Sequence, residues 1–67
     1  MNYSAKNLIR FLEQNGFYFK RAKGSHNLYY NPTTGRTVIV PMHGTKDLAK
    51  GTFFAILKQA GFDKGDL

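Results

Sequence analysis

Hydrophobic positions near the N-terminus repeat at helical spacing. A helix over residues 5–15 would have one apolar stripe, formed by Ala5, Leu8, Ile9 and Leu12. Ser4 stands where an N-cap is expected, and the dipeptide Asn15-Gly16 favours a left-handed stop. The pattern therefore predicts an amphipathic first helix.

The middle of the chain has a different pattern, rich in aromatic and β-branched residues. It predicts three strands, at residues 17–23, residues 26–31 and Thr37–Pro41. Gly24-Ser25 suits a two-residue type II′ turn, and Gly35 suits a longer loop that needs positive φ. The strands are therefore expected to form an antiparallel meander.

The last strand carries apolar residues on both of its faces. Val38 and Val40 compete with Ile39 for the buried side. One interpretation is that helices cover one side and a partner covers the other. The alternative is the ordinary tolerance of small proteins for exposed apolar residues.

The C-terminal part returns to helical spacing, with a buried stripe formed by Phe53, Ile56, Leu57 and Ala60. Asp47 is a candidate cap for this helix, and Gly61 is expected to end it. The order helix, three strands, helix predicts an α+β fold. We expect one domain over residues 1–67, a two-layer sandwich with both helices on one face of a three-stranded antiparallel sheet.

The charge of the chain favours a polyanionic partner. Ten Lys and Arg oppose four Asp and Glu, and no acid lies between Glu13 and Asp47. Nucleic acid is the usual partner of such a field, and the alternative is a generic basic surface. There are no cysteines, so disulfides and thiolate metal sites are excluded. No segment is apolar enough to suggest a signal peptide or a membrane span, so we expect a cytoplasmic protein without membrane contact.

His26 is the candidate catalytic residue. It follows the Gly24-Ser25 turn and a run of cations, and an imidazole is a competent general base near neutral pH. RNA carries its own nucleophile, the 2′-hydroxyl, so a base and cations suffice for cleavage. Metal-dependent cleavage needs clustered carboxylates, and those of this chain are scattered, so no metal or cofactor is expected. The alternative is that His26 is a structural or merely exposed side chain.

Several other residues are candidates for contact with RNA. Arg21, Lys23 and Lys46 are predicted to bind phosphate, and Lys50 joins them at the start of the last helix. Gly24 and Ser25 shape the turn, and Ser25 is placed to touch the substrate. Three tyrosines could stack on unpaired bases or simply pack on the sheet, namely Tyr18, Tyr29 and Tyr30.

Three blocks of the sequence resemble the HicA family of mRNA-interferase toxins. They are Arg-Ala-Lys-Gly-Ser-His-Asn-Leu-Tyr at residues 21–29, Val-Pro-Met-His-Gly at residues 40–44 followed by Lys46, and Leu-Ala-Lys-Gly-Thr-Phe at residues 48–53 leading to residues 56–61. The blocks stand in the order found in that family, and with the first helix and Gly16-Phe17 included the resemblance covers nearly the whole chain.

The resemblance implies a double-stranded-RNA-binding-domain-like fold and a ribosome-independent ribonuclease that degrades mRNA and arrests growth. It places the catalytic histidine at His26 and leaves His43 as a site candidate without a firm role. It also implies a HicB-type antitoxin that covers the active site, with the toxin alone monomeric and the complex a hetero-oligomer. Two alternatives stay open, a non-catalytic double-stranded-RNA-binding module and a small protein whose basic face meets an acidic partner.

Overall fold

The computed structural model describes residues 3–42 and 47–67 of the chain. Its elements are α1 (Ala5–Gln14), β1 (Tyr18–Lys23), β2 (His26–Tyr30), β3 (Thr37–Pro41), α2 (Lys50–Gln59) and a 3-10 helix (Lys64–Asp66). The predicted order helix, three strands, helix is confirmed, and the fold is a small α+β fold. In the described part of the chain, no helix has the length and apolar character needed to cross a membrane.

The three strands form one antiparallel sheet in the order β1-β2-β3. Strand register assigns alternate residues to opposite faces of this sheet. One face is turned toward the helices and includes the buried residues Tyr29, Val38 and Val40. The other, which we term the open face, carries Tyr18, Arg21, Lys23, His26, Leu28, Tyr30, Thr37, Ile39 and Pro41. Ile39 is 51% exposed there, so the competition within β3 is resolved in favour of the valines.

The helices supply most of the core. Its buried members outside the sheet are Ala5, Leu8, Leu12, Phe17, Leu48, Phe53, Ile56, Leu57 and Ala60. The predicted apolar stripes of both helices are thus confirmed, with Ile9 only partly buried at the margin. The Asn7 backbone N–H donates to Ser4 Oγ over 3.1 Å, so Ser4 is the N-cap of α1 as expected.

The predicted cap of α2 is wrong. Asp47 does not cap this helix, because α2 begins only at Lys50 and its N-cap is Ala49, without a side-chain hydrogen bond. Asp47 instead forms an isolated antiparallel bridge with Ser4, and the Leu48 N–H donates to the Tyr3 carbonyl over 2.9 Å. The backbone before α2 is therefore paired in an extended form.

The loop between β2 and β3 is organised by Asn31, a buried polar residue predicted to end the second strand. Strand β2 ends one residue earlier, at Tyr30. The Asn31 side-chain oxygen accepts from the N–H groups of Thr33 and Thr34, an Asx turn. Its amide nitrogen donates to the Asn15 carbonyl at the end of α1 over 3.3 Å. One side chain thus joins the loop to the first helix.

Replacing Asn31 by alanine is expected to lower the free energy of unfolding by about 2 kcal/mol, because backbone groups in a partly buried loop lose their partners. Asn15→Ala is the matched control. Its side chain makes a single exposed hydrogen bond to the Phe11 carbonyl, so a change within about 0.5 kcal/mol is expected. Urea unfolding followed by circular dichroism measures both. Equal effects of the two changes would contradict the role given to Asn31.

Burial raises the pKa of Tyr29 above its usual value of 10.0, and a hydrogen bond with Asn27 opposes this only in part. The folded state therefore holds the phenolic proton more tightly than the unfolded chain does. The resulting stability is fully present below the unfolded pKa and is lost as pH rises through the folded pKa. We expect the free energy of unfolding to fall more steeply above pH 10.0 in the natural chain than in Tyr29→Phe. Parallel curves for the two proteins would refute this.

Candidate functional site

A tight turn places His26 at the start of β2. Lys23 and His26 are the last pair of the β1-β2 ladder, and Gly24-Ser25 connect them. The φ angle of Gly24 is 58°, and that of Ser25 is not positive. A positive φ at the first turn residue and a negative φ at the second are expected for the predicted type II′ turn. The Met42 N–H donates to the Ser25 carbonyl over 2.6 Å and ties the turn to the end of β3.

A β-bulge in β1 decides which cations share a face with His26. The register shifts between Phe19 and Arg21, so that Phe19 pairs with Tyr29 while Arg21 already pairs with Leu28. Without this extra residue, alternation would turn Arg21 and Lys23 toward the helices. With it, both cations lie on the open face beside His26. Bulges commonly re-aim side chains near functional sites.

His26 and these two cations meet at a shallow depression of about 240 Å³. Its lining consists of Arg21, Lys23, His26, Leu28 and Ile39. The floor is apolar, the rim carries positive charge, and the exposed imidazole stands at one end. This arrangement suits a group that combines an apolar ring with a phosphate.

A second depression, of about 510 Å³, lies on the other side of His26 between β3 and α2. It shares His26 and Ile39 with the first and is lined on the helix side by Thr52, Ala55, Ile56 and Gln59. These four positions fall on one face of α2. His26 therefore lies between the two depressions, so a polymer that occupied both would pass over it.

Positive charge on β1 is not balanced within the sheet. The four acidic residues of the chain lie in α1, in the segment before α2 and near the C-terminus. Lys20, the bulge residue, holds its ammonium 4.9 Å from the centre of the Tyr30 ring, a cation–π contact. The three cations Lys20, Arg21 and Lys23 thus border a face without a carboxylate.

Three predicted site residues follow β3 in the chain, namely His43, Lys46 and Lys50. Lys50 is exposed at the first turn of α2 and lines neither depression beside His26. Lys46 and His43 lie outside the described residues. Among residues 3–42 and 47–67, no three His, Cys, Asp or Glu side chains are grouped so that they could hold a metal ion.

Arg36 is a basic residue with a structural partner. Its guanidinium donates to the Gln59 carbonyl over 3.1 Å at the end of α2. A cation there offsets the negative end of the helix dipole. Arg36 therefore stabilises the packing of the β2-β3 loop on α2. Within the sheet, the positive charge available for a ligand is that of Lys20, Arg21 and Lys23 on β1.

The apolar residues that line the site, Leu28 and Ile39, are not among the site residues predicted from the sequence. The signal was present in β2, where His26, Leu28 and Tyr30 alternate with core residues and so share one face. The register of β2 against β3 then adds Ile39 beside Leu28. The position of Arg21 had no such signal, because it depends on the bulge.

Comparison with protein families gives one finding. Residues 5–62 match the family described as the HicA toxin of bacterial toxin-antitoxin systems. Among curated proteins, no match was found. The matched range includes α1, all three strands and α2, and with them the hairpin that carries His26.

Gly24→Ala is expected to lower the free energy of unfolding by about 1–2 kcal/mol. No atom of the described residues obstructs an added Cβ, so the cost comes from the positive φ. Gly51→Ala is the matched control, since its Cβ also meets no atom of the described residues and its φ is ordinary for a helix. There the change is expected to raise stability by up to about 1 kcal/mol. Thermal and urea unfolding measure both, and effects of the same sign would contradict the argument.

Proposed function

The chain belongs to the HicA toxin family and is thus a toxin of a bacterial toxin-antitoxin system, and we propose that it acts as a metal-independent endoribonuclease on mRNA. Family membership also implies an antitoxin partner. The observation that supports the proposal best is the depression where His26 meets Arg21 and Lys23. It combines a proton acceptor with cations on a face open to a polymer.

In the proposed reaction, the His26 imidazole takes the proton of a ribose 2′-hydroxyl. The 2′-oxygen attacks the adjacent phosphorus and the bond from phosphorus to the 5′-oxygen breaks. The imidazolium then returns a proton to the leaving 5′-oxygen. The products are a 2′,3′-cyclic phosphate and a 5′-hydroxyl, so atoms and charge balance without a metal or a protein nucleophile.

Cations stabilise the negative charge that develops on the non-bridging phosphoryl oxygens in this scheme. Arg21 and Lys23 are assigned this role because they border the same depression as His26. Gly24 and Ser25 hold the turn that sets the position of His26. Lys46 and Lys50 are proposed as further phosphate contacts, with Lys50 at the uncapped N-terminus of α2.

We assign the antitoxin to the HicB type and place its contact over the open face, where it blocks access to His26. The free toxin is then a monomer in the cytoplasm, and the inhibited form is a hetero-oligomer. This arrangement fits the exposure of Ile39 and Tyr18, which the chain itself leaves uncovered.

His26→Ala is the decisive variant. The loss of one general base is expected to slow RNA cleavage by at least about 100-fold and to abolish growth arrest on expression without antitoxin. Because His26 is exposed, folding should be retained, which circular dichroism checks. Cleavage by the natural protein should persist in excess EDTA and should stop when the RNA carries 2′-deoxyribose at the cleaved position.

Two outcomes would separate this function from its alternatives. Unchanged cleavage by His26→Ala would remove the residue from the mechanism. RNA binding without any cleavage by the natural protein would favour a non-catalytic RNA-binding module.

A further inference from the structure

We propose that the open face is a binding platform for unpaired RNA. Tyr18 is its base-stacking ring, and the depression lined by Leu28 and Ile39 is a second base subsite. This inference rests on the proposed function for its ligand, RNA. It adds the form of RNA that is accepted and the residues that hold the bases.

The open face is a continuous surface from the turn to the far end of the sheet. Its rows across the strands are Lys23-His26-Pro41, Arg21-Leu28-Ile39 and Tyr18-Tyr30-Thr37. His26 and Tyr30 are four residues apart on β2, which separates them by about 13 Å. The rows therefore offer distinct positions along the strand, with the proposed catalytic group at one end and aromatic rings at the other.

Tyr18 is the exposed tyrosine of this surface, whereas Tyr30 is partly buried. Tyr18 is 65% exposed, the most exposed large hydrophobic side chain in the described residues. Its cross-strand partner Tyr30 has one face occupied by the Lys20 ammonium. Tyr18 is thus available to a base, while Lys20 stands beside it as a contact for the phosphate of the same nucleotide.

The middle row provides a different kind of subsite. Leu28 and Ile39 are cross-strand partners that form an apolar floor, and Arg21 borders it. A flat base can cover the floor while its phosphate meets the guanidinium. Ile39 is 51% exposed, so a base bound there removes apolar surface from water.

The chemistry of the face favours unpaired over paired RNA. Three cations on β1 and the absence of carboxylates from the sheet attract a phosphate backbone. In a duplex the faces of the bases are covered by their neighbours in the stack, so they cannot lie on Tyr18 or on the Leu28-Ile39 floor. In single strands the bases can be splayed out and stacked on aromatic side chains.

The chain offers a matched control for the stacking ring. Phe19 is the next residue of the same strand and is also exposed, at 52%, but it lies on the opposite face and contacts Tyr29 edge-on. Tyr18→Ala and Phe19→Ala therefore remove neighbouring aromatic rings from opposite sides of one strand. Only the first change should affect RNA if the open face is the platform.

The experiment measures affinity for a fluorescein-labelled, unstructured RNA of about ten nucleotides, with all proteins carrying His26→Ala so that the probe is not cut. We expect Tyr18→Ala to weaken binding about 5-fold or more, as found for lost base-aromatic stacking, and Phe19→Ala to change it less than about twofold. Tyr18→Leu, which keeps apolar bulk without the ring, should resemble Tyr18→Ala. A duplex of the same length should bind more weakly than the single strand.

Equal effects of the two aromatic changes, no effect of Tyr18→Ala, or a duplex bound as tightly as the single strand would each overturn the platform. So would a failure of the His26→Ala protein to bind the single strand at all. Cleavage does not enter this measurement. If the natural chain fails to cut RNA while the expected binding pattern appears, the proposed ribonuclease function fails and the platform stands.

Discussion

Two helices on one side of a three-stranded sheet impose the main constraint on this molecule. Everything depends on the register of β2, because alternation along that strand sends Tyr29 into the core and His26, Leu28 and Tyr30 to the opposite side. A slip of one residue would bury the imidazole and expose Tyr29. Hydrophobic burial by the helices therefore fixes, through the strand, which face is left for a ligand.

The bulge in β1 is the second determinant, and it acts on charge. Phe19 still lies on the helix side, in an edge contact with Tyr29, while Arg21 and Lys23 are displaced to the open face. The extra residue therefore permits two arrangements that strict alternation would make incompatible. It keeps an aromatic contact beside the core and moves the cations of the same strand beside His26.

Much of the fold could be predicted from residues whose role is local. Helical stripes, the Ser4 cap and the glycine turns at positions 24 and 35 depend on neighbours in sequence, and the structure confirms them. Two local predictions are wrong, that Asp47 caps α2 and that the second strand extends to Asn31. Each of these residues pairs with a residue distant in sequence, Asp47 with Ser4 and Asn31 with Asn15. The candidate site shows the same difference between local and distant contacts. The position of His26 beside its turn could be predicted from the sequence. The depression that Arg21 and Ile39 line together could not, because it depends on the register of the strands.

A domain of this size buries only about 60% of its unfolded surface, so it has few apolar residues to spare for exposure. Tyr18 and Ile39 are nevertheless exposed on the face that carries His26. Their exposure lowers the net burial of the free chain, and a partner that covers them recovers that burial as binding free energy. On the proposed assignment, stabilisation and inhibition are then linked, because the antitoxin cannot bury these side chains without also blocking the path of RNA to His26.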